Sequence, residues 1–194
     1  MERGETTNKT MCSKMKLTFR DKLLQLIDKI PTTKNFVRGD FLLKEGEIER
    51  NIYFVEKGAV RVFLMNDAGE QTIRLGYKGY FINSFSSFMT EKPSALCVDI
   101  IRKTTIKIIP KSYVEELANE NLENLQQYAT FLELMIVQQL EREIDLLTPS
   151  FSERLERVLR RSPDLFKEIP LKYIASYLRM TPETLSRIRK NQAV

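Results

Sequence analysis

The 194 residues are 42% hydrophobic, enough to bury the core of one medium domain and a smaller one. The chain has no histidine and only two cysteines, Cys12 and Cys97, far apart and in no CxxC pair; it thus lacks the commonest general base and the usual ligands for zinc, haem or an iron–sulfur cluster. A net charge of +5 permits a polyanionic partner, and the excess is local, because from Phe151 onward ten Lys or Arg stand against five acids, a surplus equal to that of the whole chain.

Residues 1–16 are polar apart from Met11 and Met15, and a mobile tail is expected. Over 17–30, the residues Phe19, Leu23, Leu24, Leu26, Ile27 and Ile30 fall at helical spacing, and Pro31 stops the run. From residue 34 to 109 the pattern becomes strand-like. Short apolar runs at 35–43, 52–55, 59–65, 72–75, 80–82, 96–101 and 105–109 are split by glycine turns at Gly39, Gly46, Gly58, Gly69 and Gly79. Many short strands at this spacing predict a sandwich or jelly roll, with Cys97 buried inside it.

A short helical turn at 112–117 is followed by Leu122, Leu125, Ala129, Leu132, Ile136, Leu140, Ile144 and Leu147, at steps of three or four. These predict an amphipathic helix of roughly 25–30 residues, stopped by Thr148-Pro149. Its apolar stripe exceeds what one small domain covers, so pairing with a second copy through Leu125, Ala129, Leu132, Ile136 and Leu140 is expected. A further helix at 152–161 leads to the C-terminal segment.

That segment is the most informative part of the chain. Leu171, Ile174, Ala175 and Leu178 form one apolar stripe, and the pattern breaks at Arg179-Met180-Thr181. Thr181 is placed to cap a second helix, with Pro182 in its first turn where a missing N–H does no harm. Leu185 and Ile188 then face inward, while Glu183, Arg187 and Lys190 share one outward face. A short basic helix on a supporting helix is the layout of a helix-turn-helix DNA reader. The turn departs from the usual pattern, because many such turns use Gly where this chain has Arg179, and a non-Gly residue takes a left-handed turn only at a steric cost. Arg187 is the first candidate for a base contact, forking onto guanine O6 and N7; Glu183 is placed to accept from cytosine N4, and Thr184 to meet a thymine methyl or a phosphate. Lys190, Arg189 and Lys172 are candidates for phosphate contacts, and Thr181 completes the set.

A β jelly roll, a long helix and a C-terminal helix-turn-helix, in that order, resemble the Crp/Fnr family of transcription regulators. The stretch GDFLLKEGEIERNIYFVEKGAVRVF is most like that family's cyclic-nucleotide-binding fold, and TPETLSRIRK is most like its recognition helix. The resemblance covers about residues 17–190. It implies an α+β chain with a sensor domain over 17–117, a dimerisation helix over 118–148 and a helix-turn-helix domain over 149–194, where the family's β-hairpin wing is expected to be absent as a departure from the pattern. It also implies a homodimer on double-stranded DNA at an inverted-repeat site, with RNA polymerase a candidate partner and no catalysis. The few cysteines, the absence of a membrane-length apolar run and the lack of an apolar signal core lead to an expected cytoplasmic location without membrane association, and the missing histidines to no cofactor and no metal.

The departures from the family pattern bear on the effector. Nucleotide-binding members present Gly-Glu and then Arg-Ser/Thr-Ala around the cyclic phosphate and ribose. Here the matching positions are Asn83-Ser84 and Pro93-Ser94-Ala95, so neither the acid nor the arginine is present. A buried phosphate without its guanidinium would lack a counter-charge. Cyclic AMP is therefore not expected to bind. The pocket either takes an unknown small molecule or is filled by the chain's own side chains, with Phe85 and Phe88 as bulky candidates. The rival reading is a non-DNA signalling module, whose β-domain binds a ligand and whose helical tail binds a protein partner.

Overall fold

A computed structural model of the chain describes residues 17–29 and 33–191. In chain order it contains α1 (Phe19–Lys29), β1 (Thr33–Phe36), β2 (Phe41–Leu43), β3 (Asn51–Asn66), β4 (Gly69–Tyr77), β5 (Phe81–Ile82), α2 (Phe85–Thr90) and β6 (Leu96–Pro110). Then come α3 (Lys111–Asn119), α4 (Leu122–Leu147), α5 (Phe151–Arg161), α6 (Leu165–Glu168), α7 (Leu171–Tyr177) and α8 (Pro182–Asn191). The expected tail over 1–16, the Pro31 stop and the chain end after Asn191 lie outside the described residues.

The β-domain is one antiparallel system built on two long strands, β3 and β6, which pair from Asn51 opposite Pro110 to Leu64 opposite Leu96. Each long strand serves two neighbourhoods. At one end, β1 pairs with Thr104–Lys107 of β6, and β5 pairs with Tyr53 and Phe54 of β3. At the other, β2 pairs with Val98 and Asp99, and β4 runs along Ala59–Asn66. Register shifts between Val55 and Val60 separate the two ends. Bulges of this kind bend a strand and increase its twist, so one sheet wraps around its own interior.

Here the structure departs from the sequence reading. The runs at 52–55 and 59–65 are one strand, and so are those at 96–101 and 105–109. Gly58 shows why: it has φ +97°, and a Cβ there would lie 2.3 Å from Thr104 Oγ1. Only glycine lets the two long strands approach at the bend. The turn residue thus marks a bulge inside a strand, not a break between strands. The short helices α2 and α6 are further departures, each too brief to show a helical period.

Alternation along β3 assigns its two faces. Val60 and Val62 point inward to Val98, Ile100 and Ile106. Ala59 points outward, and with Tyr77 and Ile101 it packs against Leu155, Ile174, Leu178 and Leu185 of the C-terminal helices. A third cluster joins Phe19, Leu23 and Ile27 of α1 to Phe88, Ile109 and Val114. Each fully buried Leu, Ile or Phe contributes about 1.5–3 kcal/mol, so the C-terminal helices are anchored to the β-domain by an apolar seam. Helix starts are set locally. Thr18 and Asp21 bond reciprocally ahead of α1, Asn121 Oδ1 accepts from Asn124 N at 2.8 Å, and Ser150 Oγ accepts from Glu153 N at 3.3 Å.

Candidate nucleic-acid interface and effector cassette

The turn between α7 and α8 is built as a Schellman motif. Met180 N donates to Ala175 O at 3.0 Å, and Arg179 N donates to Ser176 O at 3.2 Å. Arg179 takes the left-handed position with φ 57°, where glycine is usual. Its guanidinium donates to Gln71 Oε1 on β4, while Ser176 Oγ accepts from Thr72 N at 3.1 Å. The β3–β4 hairpin therefore holds the turn from outside. Thr181 Oγ1 caps α8 by accepting from Thr184 N at 3.2 Å. Leu185 and Ile188 are buried under α8, as their spacing predicts.

The candidate DNA-contacting side chains separate on inspection. Thr181, Glu183, Arg187 and Lys190 are exposed, and Thr184 is half-buried between them and the core. The Glu183 carboxyl is held below its ordinary pKa by its own backbone N–H and the Thr181 hydroxyl. Arg189 is turned away from this group, with its guanidinium 4.1 Å from the centre of the Phe166 ring. Lys172 lies at the start of α7, its ammonium 4.5 Å from the Tyr173 ring centre.

Part of the basic surplus is structural. Arg154 is 6% exposed, and donates to Leu178 O at 2.7 Å and twice to Thr148 O. It thereby satisfies orphan carbonyls at the ends of α4 and α7. Arg157 and Arg161 both bridge to Glu141 and Asp145 on α4. Charge counting does not distinguish these cations from the exposed ones; their i, i+3 and i+7 spacing on α5 is the signal that sets them apart.

The effector cassette is closed upon itself. The hydroxyls of Ser84 and Ser94, both buried, lie 2.8 Å apart, and Ser94 Oγ also bonds the backbone of Leu96. Ser84 N donates to Glu49 Oε2, whose other oxygen accepts from Asn51 N at 3.0 Å and from Tyr53 OH at 3.1 Å. Glu49 is wholly buried, and desolvation raises its pKa above the ordinary carboxyl range. Ser87 Oγ donates to Lys92 O at 2.6 Å and closes the far side. Asn83 is half-buried and donates to Asn51 O, while Pro93 and Ala95 face solvent. Phe88 does not fill the cassette; it packs beneath α1 and α3. Glu49 is the residue that sequence reasoning missed, because an acid amid polar neighbours looks like a solvated loop.

On α4 the stripe expected to pair is open. Ile136 is 56% exposed, Leu125, Ala129 and Leu140 are exposed, and Leu132 is half-buried. Among the described residues there is no group of His, Cys, Asp or Glu able to hold a metal ion, and no helix is long and apolar enough to cross a membrane.

Residues 33–121 match the family model of the cyclic nucleotide-binding domain. No curated protein sequence matches the chain. Among solved structures, FixK2 from Bradyrhizobium japonicum superposes with a TM-score of 0.69 at 17% identity, over 84% of each chain. TTHB099, a CRP-family transcriptional regulator from Thermus thermophilus, gives 0.59 at 20% identity, over 81% of this chain and 83% of that one. TTHA1359, a CRP/FNR-family transcriptional regulator from the same bacterium, gives 0.57 at 21% identity, over 83% and 85%. Residues 33–121 thus match the cyclic nucleotide-binding domain, and the chain as a whole shares the fold of these solved structures.

Proposed function

We propose that the protein is a DNA-binding transcription regulator of the Crp/Fnr type, acting as a homodimer on an inverted-repeat site, with a cassette that does not hold cyclic AMP. The observation that carries this reading is the exposed Glu183, Arg187 and Lys190 face of α8, backed by the buried Leu185 and Ile188. Cations free to meet base edges and phosphates stand on a helix whose opposite face is fixed in a core. The open α4 stripe supports the dimer, since two copies related by a two-fold axis bury it on each other. Two α8 helices so related would enter successive major grooves about 34 Å apart. RNA polymerase is the further partner that this reading implies.

The test is selection from random duplexes with the full chain, followed by titration of the selected site across salt concentrations. An enriched inverted repeat, with affinity falling linearly in log salt by about 0.9 per phosphate contact, is the expected result. Recovery of no site and no salt-dependent duplex binding would turn the reading towards a module whose helical tail binds a protein.

A further inference from the structure

Between α4, the start of α1 and the β4–β5 segment runs a groove of about 1240 Å³. Its walls include Ile73, Leu75, Phe81, Phe131, Leu134 and Met135. None of the cassette positions Asn83, Ser84, Pro93, Ser94 and Ala95 lines it. The groove's second feature is its charge. Arg74 and Arg142 line it alongside Tyr177. Arg142 is only 6% exposed; its Nη2 donates to Tyr177 O, its guanidinium lies 3.7 Å from the Tyr177 ring centre, and its buried Nη1 has no acceptor among the described residues. Arg74 donates to Gln139 Oε1 at 3.1 Å, on the turn of α4 just before Arg142.

Neither guanidinium forms a salt bridge among the described residues. Of the acids beside Arg142 on α4, Glu141 and Asp145 are engaged by Arg157 and Arg161, and Glu143 is exposed. Desolvation lowers the pKa of both Arg74 and Arg142. Glu123 and Glu141 also line the groove, but Glu141 is paired with Arg157 and Arg161; two desolvated guanidiniums at one cavity with no salt bridge to either are unfavourable unless something supplies the missing charge. An arginine fork binds a carboxylate in two parallel hydrogen bonds, and an apolar wall accepts hydrocarbon.

We propose that this groove binds an amphipathic anion, a carboxylate on an extended apolar body, with the head group on Arg74 and Arg142 and the body along Phe81, Phe131 and Leu134. Along α4, Phe131 and Arg142 are roughly 16 Å apart at the helical rise, which suits an acyl chain lying lengthwise. The head group would touch Tyr177 of α7, so occupancy would bridge the sensor domain and the C-terminal helices. The site does not depend on DNA binding, and duplex affinity measured in the same samples keeps the two readings separate.

The test is calorimetric titration of the full chain with dodecanoate and dodecyltrimethylammonium, each below its micellar concentration, and with dodecanol below its solubility limit. Saturable binding of one dodecanoate per chain is expected, with dodecanol weaker by about tenfold or more and no binding of the cation. Arg74→Met and Arg142→Met should each weaken dodecanoate by about tenfold while leaving dodecanol unchanged. Arg74 is only half-buried, so Arg74→Met keeps the test decisive if Arg142→Met does not fold. No saturable dodecanoate binding, equal affinity for acid and alcohol, or full dodecanoate affinity in both variants overturns the proposal. Binding by an Ile136→Glu monomer but not by the dimer also overturns it, because the groove would then belong to a second copy of the chain.

Discussion

The hydroxyl of Ser94 lies 2.8 Å from that of Ser84, so two neutral side chains satisfy each other where the family pattern places an acid and a phosphate-binding loop. A cyclic phosphate entering there would break this pair and find no guanidinium, since the arginine position is the exposed Pro93. Losing the polar pair and burying an uncompensated anion would together cost several kcal/mol. Calorimetric titration with cyclic AMP is expected to show no saturable binding in the micromolar range. A stoichiometric micromolar isotherm would contradict this account of the cassette.

Glu49 gives the cassette a pH signature. Burial raises its folded pKa above the ordinary value of 4.5, despite hydrogen bonds from Asn51, Ser84 and Tyr53 that pull the other way. A carboxyl raised on folding is protonated more readily in the native state than in the unfolded one. Its contribution is fully present below the unfolded pKa and is lost as pH rises through the folded value. The wild-type chain should therefore lose stability as pH rises from about 4.5 towards the folded pKa. Glu49→Gln should remove that slope. Urea unfolding of both proteins at several pH values in this window measures it, and parallel slopes would show that Glu49 ionises normally.

How much of this is legible in the sequence depends on periodicity. The stripe from Leu122 to Leu147 marks α4 and its stop at Thr148 because a long helix repeats one signal many times. The α7–α8 pair is readable from the helical spacing of Ile174, Leu178, Leu185 and Ile188, together with the Thr181 cap. The β-domain is readable as strands but not in its connectivity. A glycine such as Gly58 marks a bulge or a turn equally well until the opposing Thr104 is in view. The Glu49 network is invisible because its partners come from loops distant in sequence. The engagement of Arg154 by Thr148 and Leu178 is hidden for the same reason.

Ile136 stands near the middle of the open α4 face at 56% exposure in the single chain. If two α4 helices pair, Ile136→Glu places a carboxylate in an apolar seam opposite its own copy. Leaving such charges unpaired costs several kcal/mol per dimer. The variant should be monomeric by light scattering at concentrations where the parent is dimeric, with unchanged circular dichroism. A persisting dimer mass would place the contact on another face.

Arg179 tests the turn without touching α8. Both Arg179→Ala and Arg179→Gly remove the bond to Gln71, so their difference isolates the backbone. At φ 57° an alanine keeps the steric cost of its Cβ, and glycine does not. The glycine variant should be more stable than the alanine variant by about 1 kcal/mol in thermal or urea unfolding. Equal stability would mean that the turn relaxes out of the left-handed region.

The sharpest test of the DNA reading compares Arg187 with Lys190. Both are exposed on the outward face of α8, one turn apart, so location alone does not distinguish them. Their chemistry does. A guanidinium forks onto guanine O6 and N7, whereas an ammonium is a point charge suited to a phosphate. Arg187→Ala should cost about 1–3 kcal/mol on the selected site and relax preference at one base pair in each half-site. Lys190→Ala should weaken every duplex alike and reduce the log-salt slope by about one per contact. Arg189→Ala is the internal control: its side chain lies on Phe166, so it should lower stability slightly and leave sequence preference unchanged. Competition binding against a panel of single-base variants, at two salt concentrations, reads all three. If Arg187→Ala and Lys190→Ala behave identically across that panel, the assignment of base reader and phosphate anchor is wrong.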